Sequence, residues 1–184
     1  SHYFRQNFSQ VTNPPIDSLR ENKVMSLKTR FGNLGNILDF ENLTKENIYV
    51  LDSPVLTNSQ LKKFKTMFSK KIKVIDCTFD TKNTLRNRIE EIREEAEIAV
   101  RGGANHLILS DQNISEERAI VPMILAVGAI HSYLVKLSLR GYASLNAQTA
   151  EAMDTHSFAV LIGVGATTVT VSYTHLRAHE TSNH

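Results

Sequence analysis

The apolar positions of this chain are irregular up to Lys70 and become periodic from Lys71 onward. Ile72, Val74 and Ile75 form a β-branched run, and a polar stretch, Asp80-Thr81-Lys82-Asn83-Thr84, separates it from a longer pattern. There Leu85, Ile89, Ile92, Ala96 and Ala99 recur at the spacing of one buried helical face. Glu97 and Arg101 form an i,i+4 pair in the favourable order, and Gly102-Gly103 ends the helix. His106-Leu107-Ile108-Leu109-Ser110-Asp111 then reads as a short strand of the kind covered on both faces in a parallel sheet. Gln112 to Arg118 is a polar loop. Pro122 suits the first turn of a second helix, whose broad apolar surface comes from Met123, Ile124, Val127, Ile130, Leu134, Val135 and Leu137; Arg140-Gly141 stops it. Leu145 to Ala150 is a third strand, and Asp154 or Thr155 caps a helix running through Leu161-Ile162. Gly163-Val164-Gly165 leads out into Thr167-Thr168-Val169.

This alternation from 71 to 170 predicts an α/β fold, βαβα with right-handed crossovers and a mostly parallel sheet, either barrel-derived or flavodoxin-like. In the first 70 residues Lys28 to Asp39 holds a Gly-Asn turn between extended pieces, and Ile48-Tyr49-Val50-Leu51 reads as a strand. Asn58 to Phe68 reads as a short helix with Leu61, Phe64, Lys65 and Phe68 on one side, and the whole region is expected to pack on one edge of the sheet. Pro14-Pro15 fixes two φ angles, removes two donors and pushes Asn13 toward an extended conformation, so Gln10 to Asp17 is a connector.

Length and composition narrow this further. A chain of 184 residues that is 41% hydrophobic supports one core, a domain of about 150 residues with tails. The net charge of +2, from 21 basic and 19 acidic residues, leaves no electrostatic footprint for nucleic acid or an anionic membrane. A lone Cys77 rules out an internal disulfide framework and fits a reducing compartment; it is expected to be buried and inert. No apolar run approaches the ~20 residues of a membrane span, and no signal-peptide profile opens the chain, so a soluble cytoplasmic protein is expected. A start at Ser1 suggests a piece of a longer protein.

Candidate chemistry is thin. Gly163-x-Gly165 follows a helix and precedes a strand, the reverse of a dinucleotide loop, and Gly32-x-x-Gly35 lacks the downstream residues of a P-loop. His175 and His179 share an i,i+4 spacing without a third ligand nearby. His131 and His156 read as packed or hydrogen-bonded structural histidines. Carboxyl ends of parallel strands are where α/β folds bind ligands, which leaves Ser110, Asp111 and Glu151 as the positions with a geometric claim to function; loop polarity and helix capping are the favoured reading even there. From the residues alone, no catalytic, cofactor-binding or metal-binding residue is expected.

Five blocks in order carry a resemblance: Gln10 to Pro15, Leu51 to Asn58, Leu107 to Asp111, Ile120 to His131, and Thr149 to Ala159 with Gly165-Ala166. Together the chain resembles the central domain of the glutamate synthase large subunit. Ser132 and Tyr133 after His131, and Ser157 after His156, stand where that family usually has more histidines, which argues further against reading these histidines as a site. The resemblance implies boundaries: 1–14 as the end of an upstream glutaminase domain and its connector, 15–170 as the central domain, and 171–184 as a tail outside the family pattern that looks like translated sequencing-adapter read-through. It also implies a parent enzyme that makes glutamate from glutamine and 2-oxoglutarate with FMN and an iron–sulfur cluster, neither held by this segment. The implied partners are the glutaminase and FMN synthase domains of the same parent chain and a small electron-donating subunit or ferredoxin, with no nucleic acid and no membrane. The segment itself would be a catalytically silent scaffold bordering the ammonia route. Two other readings stand beside it: a free-standing small-molecule-binding α/β enzyme, and a regulatory interaction module, for which no apolar patch or charged stripe is visible.

Overall fold

The computed structural model describes residues 18–33 and 48–171. The Pro14-Pro15 connector, the Gly35-Asn36 part of the expected turn and the His175/His179 pair lie outside the described residues.

Numbered in chain order, the elements are α1 (Ser18–Val24), β1 (Thr29–Gly32), β2 (Ile48–Leu51), β3 (Val55–Leu56), α2 (Asn58–Met67), β4 (Ile72–Asp76), β5 (Thr78–Asp80), α3 (Leu85–Arg101), β6 (His106–Ser110), β7 (Arg118–Ile120), α4 (Met123–Lys136), β8 (Ser144–Thr149), α5 (Thr155–Gly163) and β9 (Thr168–Val171). Helix starts follow local chemistry. Thr57 and Gln60 form a reciprocal capping box on α2, Thr84 accepts from the Asn87 N–H at α3, and Asp154 accepts from the Ser157 N–H at α5. Pro122 stands one residue outside α4 rather than in its first turn.

A five-stranded sheet in the order β3-β9-β8-β6-β4 is parallel throughout. The steps β4→β6→β8→β9 run in one direction with α3, α4 and α5 packed on one face, where Ile75, Leu107, Leu109, Leu145, Ala147 and Val169 meet Ile92, Ala96, Val127, Ile130 and Leu161. The step β3→α2→β4 runs the opposite way across the sheet. Right-handed crossover then requires its helix on the second face, where Phe31, Leu51, Leu56 and Phe64 form a separate cluster. The sheet is thus open and covered on both faces.

The expectation that the N-terminal part lies on one edge is corrected in this respect. Only β3 adds to the edge, beside β9. The β1–β2 hairpin is anchored at the start of β8, where Ser144 Oγ accepts from the Gly32 N–H at 2.7 Å and donates to the Gly32 carbonyl at 3.0 Å. α2 reaches across the face, Lys65 Nζ donating to Gln148 Oε1 at 3.3 Å. α1, the edge strand β3 and the antiparallel pair of β5 with β7, which begins at the end of the expected polar loop, were not predicted. A three-residue strand is too short to show a period, and β7 is held by Arg118, whose guanidinium donates to Thr78 Oγ1 and to Asp76 Oδ2. β9 includes Val171, paired with Thr149, one residue into the expected tail.

The second sheet face is polar. Asn146 Nδ2 donates to Thr168 Oγ1 at 2.8 Å and to Thr170 Oγ1 at 3.1 Å, all three side chains being buried. His106 is buried at the start of β6, stacked on Phe31 with ring centroids 4.5 Å apart, and neither ring nitrogen has a hydrogen-bond partner among the described residues. Burial, with a smaller contribution from the Lys71 charge, pushes the imidazole down to about 4.

Leu109 lies in β6, an interior strand of the sheet, with no exposed surface, and Leu109→Ala should cost about 2–5 kcal/mol in denaturant unfolding. A shift no larger than that of exposed Lys62→Ala would contradict its place in the core. His106 binds its proton more weakly folded than unfolded, so its contribution is intact above pH 6.5 and is lost as the pH falls toward 4. That loss should be about 2 kcal/mol, and His106→Leu should flatten it; an unchanged pH slope in the variant would refute the assignment.

Candidate functional site

Parallel strands bring their carboxyl ends to one side of the sheet, and β6 and β8 there deliver two of the three residues singled out from sequence. Asp111, directly after β6, is 2% exposed. Its Oδ2 accepts from Thr149 Oγ1 at 2.5 Å and from the Ala150 N–H at 3.2 Å, while Oδ1 is buried without a partner among the described residues. Thr149 Oγ1 in turn accepts from the Glu151 N–H at 3.0 Å. The Asp111–Thr149 pair therefore clasps the end of β6 to the turn that follows β8.

Glu151 turns its carboxylate to the start of α4, Oε2 accepting from the Met123 N–H at 2.8 Å. This supplies what Pro122, the residue before the helix, lacks: a side-chain acceptor for an orphan first-turn donor. Burial raises the Glu151 carboxyl above its usual range, the Met123 N–H bond opposes this, and the neighbouring Asp111 charge adds to it. A groove of about 690 Å³ opens beside it, lined by Met123, Ile124 and Leu125 of α4 and by Ser157, Val160 and Leu161 of α5. Ser110 is not part of this arrangement. Its carbonyl accepts from the Cys77 N–H at 2.7 Å, and side-chain alternation along β6 turns it to the opposite face from Leu109.

Other chemistry-bearing residues hold structure. Cys77 is fully buried, and burial pushes its thiol up to about 12, far from a thiolate nucleophile at neutral pH. His131 Nδ1 accepts from Arg140 Nε at 3.1 Å; burial and then the Arg140 charge hold the imidazole below its ordinary value, the state an acceptor needs. Arg140 also donates to the Gly165 carbonyl at 2.8 Å and to Thr167 Oγ1 at 3.2 Å, tying α4 to the exit of α5. Gly165 has φ +123°, and a Cβ there would stand 2.3 Å from the His131 ring, so the Gly163-x-Gly165 pair is a helix exit under tight packing. His156 is exposed on the first turn of α5, so of the expected packed or hydrogen-bonded side chain the packed form is absent. Among the described residues, no group of three or more His, Cys, Asp or Glu side chains is arranged to hold a metal ion.

Sequence reasoning missed Thr149, Arg140 and the Met123 N–H. The available signal was Pro122 itself, a helix boundary without a capping side chain, which demands an acceptor from elsewhere in the chain.

A family model described as glutamate synthase central domain matches residues 1–183. The large chain of an NADPH glutamate synthase from Azospirillum brasilense is 56% identical over 171 residues, covering 91% of this chain and 11% of that protein. A chloroplastic ferredoxin-dependent glutamate synthase from Spinacia oleracea is 41% identical over 175 residues, again 91% of this chain and 11% of the relative. An NADPH glutamate synthase large chain from Bacillus subtilis is 38% identical over 169 residues, 90% of this chain and 11% of the relative. The chain thus spans about a tenth of the length of these curated relatives.

Thr149→Val leaves Asp111 with one backbone donor for two buried oxygens. It should lower unfolding free energy by about 1–3 kcal/mol, measured against Thr66→Val on an exposed turn of α2. Equal effects of the two substitutions would show that the Asp111 clasp is not formed.

Proposed function

The chain belongs to the glutamate synthase central domain family, and we propose that within the large chain it is a scaffold that carries no chemistry and holds the glutaminase and FMN synthase domains in register along the ammonia route. The observation that supports this most is the combination of family membership with the state of the carboxyl-end residues. Asp111 and Glu151, the two side chains best placed to act on a ligand, are already engaged in holding backbone N–H groups. A flavin fits poorly at that end of the sheet. Its phosphate would meet Asp76, Asp111 and Glu151, and Asp76, the only one of them with a salt-bridged arginine among the described residues, already takes Arg118. FMN and the iron–sulfur cluster are therefore assigned to other parts of the parent chain.

In this reading residues 15–170 are the central domain and 1–14 the end of the glutaminase domain; β9 runs one residue past that boundary, to Val171, and the match to the family model reaches residue 183. The parent hydrolyses glutamine, and the ammonia released meets 2-oxoglutarate and is reduced with it to glutamate. Ammonia that escapes to water is diluted and protonated, so a spacer that keeps two sites aligned preserves the effective concentration of the second reactant. Electrons come from a small donor subunit or from ferredoxin, as the names of the two kinds of relative suggest. A cytoplasmic location accompanies this reading; no helix among the described residues is long and apolar enough to cross a membrane.

The test uses the full-length enzyme with Ile130→Ala, which opens a cavity in the fully buried α4–sheet contact. Glutamine consumed should exceed 2-oxoglutarate consumed, with ammonia appearing in the medium, while the glutaminase rate and the synthase rate with added ammonium stay within about twofold of wild type. Equal consumption of the two substrates, or loss of one half-reaction, would overturn the scaffold role.

A further inference from the structure

The three helices on the first sheet face differ in what they show to the outside. α3 presents Arg86, Glu90, Glu91 and Glu94 there, the solvated side of an amphipathic helix. α4 has Lys136 as its one charged side chain between Met123 and Lys136, and α5 has none between Thr155 and Gly163. Helices so poor in charge are covered on their outer sides as well as their inner ones. Yet Leu125 is 46% exposed, and Met153, just before α5, is 72% exposed. The groove between α4 and α5 opens in this apolar field, with Glu151 among the residues that line it.

We propose that this groove seats residues 1–12 of the same chain as a helix, with Phe4, Phe8 and Val11 laid on Leu125, Val160 and Val164. The spacing of the apolar residues selects that segment. Phe4, Phe8 and Val11 stand at i, i+4 and i+7, the pattern by which an amphipathic helix anchors in a groove, and Arg5, Gln6, Ser9 and Gln10 fall on its other side. Pro14 stops such a helix before Asn13. The match to the family model begins at residue 1, so the segment belongs to the same family unit as α4 and α5. Charge agrees: desolvation raises the Glu151 carboxyl, and the positive charge at the start of this chain is among the effects that lower it. The opposite end of the chain fits less well, because beyond Val171 its one aliphatic side chain larger than alanine is Leu176. The contact lies within this chain whichever domain residues 1–14 are counted with, so it goes beyond the scaffold reading and does not rest on it.

Maleimide labelling of the 184-residue chain with peptide mass mapping tests this, Leu125→Cys being the reporter and Lys62→Cys, exposed on α2, the reference. Cys77 is fully buried, so its own labelling reports any loss of fold. Position 125 should label roughly tenfold more slowly than position 62, and Phe4→Ser with Phe8→Ser should bring the two within about threefold while Cys77 stays protected. A second measurement keeps both anchors: Asn7→Cys with Leu125→Cys should be joined within one chain by a short bismaleimide, and Asn7→Cys with Lys62→Cys should not. Equal rates at 125 and 62 in the intact chain overturn the proposal. So does slow labelling at 125 that survives the Phe4 and Phe8 substitutions, or that is lost when the chain ends at Val171, because the cover then lies elsewhere. If Cys77 becomes reactive in the Phe4 and Phe8 variant, the cross-link decides. A missing 7–125 link overturns the proposal, and a link that joins two chains overturns it in favour of a second copy.

Discussion

Everything in this molecule depends on strand β6 being buried on both faces and paired on both sides. All five of its residues are buried, with β4 along one edge and β8 along the other. A strand in that position needs apolar cover above and below, and the chain supplies it by crossovers running in two opposite directions. α3, α4 and α5 cover Leu107 and Leu109, and the separate cluster around Phe31 and Phe64 covers the face that holds His106. Handedness fixes which helix goes where. The aromatic N-terminal region is therefore a lid on the second face, although its sequence, poor in period, reads as an appendage.

How much of this was legible follows from how local each signal is. α3, β6, α4, β8 and α5 are long or purely apolar enough to show a period, and their capping residues Thr84 and Asp154 are adjacent in sequence to what they cap. The β5–β7 pair was not legible, since three residues show no alternation and the arginine that fixes them, Arg118, bonds to residues about forty positions away. The polar second face was hidden for a similar reason. Asn146, Thr168 and Thr170 satisfy one another across two strands, so each looks alone like a surface position. Asp111 and Glu151 were legible as the residues at the right end of the sheet, but their occupation was not: Thr149 and the Met123 N–H become their partners only once the fold is closed.

That occupation bears on function. A carboxylate that is to act as acid or base needs an open partner position for a substrate proton, with its burial tuned to the chemistry. Here Asp111 is buried, both carboxylates hold backbone donors, and each closes a specific local vacancy: the end of β6 for Asp111, the uncapped start of α4 for Glu151. The same economy explains Arg140, which joins His131, the carbonyls of Ala143 and Gly165, and Thr167 in one node. Rigidity at the carboxyl end of the sheet is what the proposed spacer between two coupled active sites requires.

The claim that these carboxylates are structural is tested most directly by Asp111→Asn in the full-length enzyme, with stability and both half-reactions measured on one preparation. The Asn side chain can still accept from Thr149 and Ala150 but buries an amide without acceptors, so unfolding should become easier by about 1–3 kcal/mol while both half-reaction rates stay within about twofold. A loss of a hundredfold or more in either rate with stability unchanged would contradict the account and make Asp111 a catalytic residue.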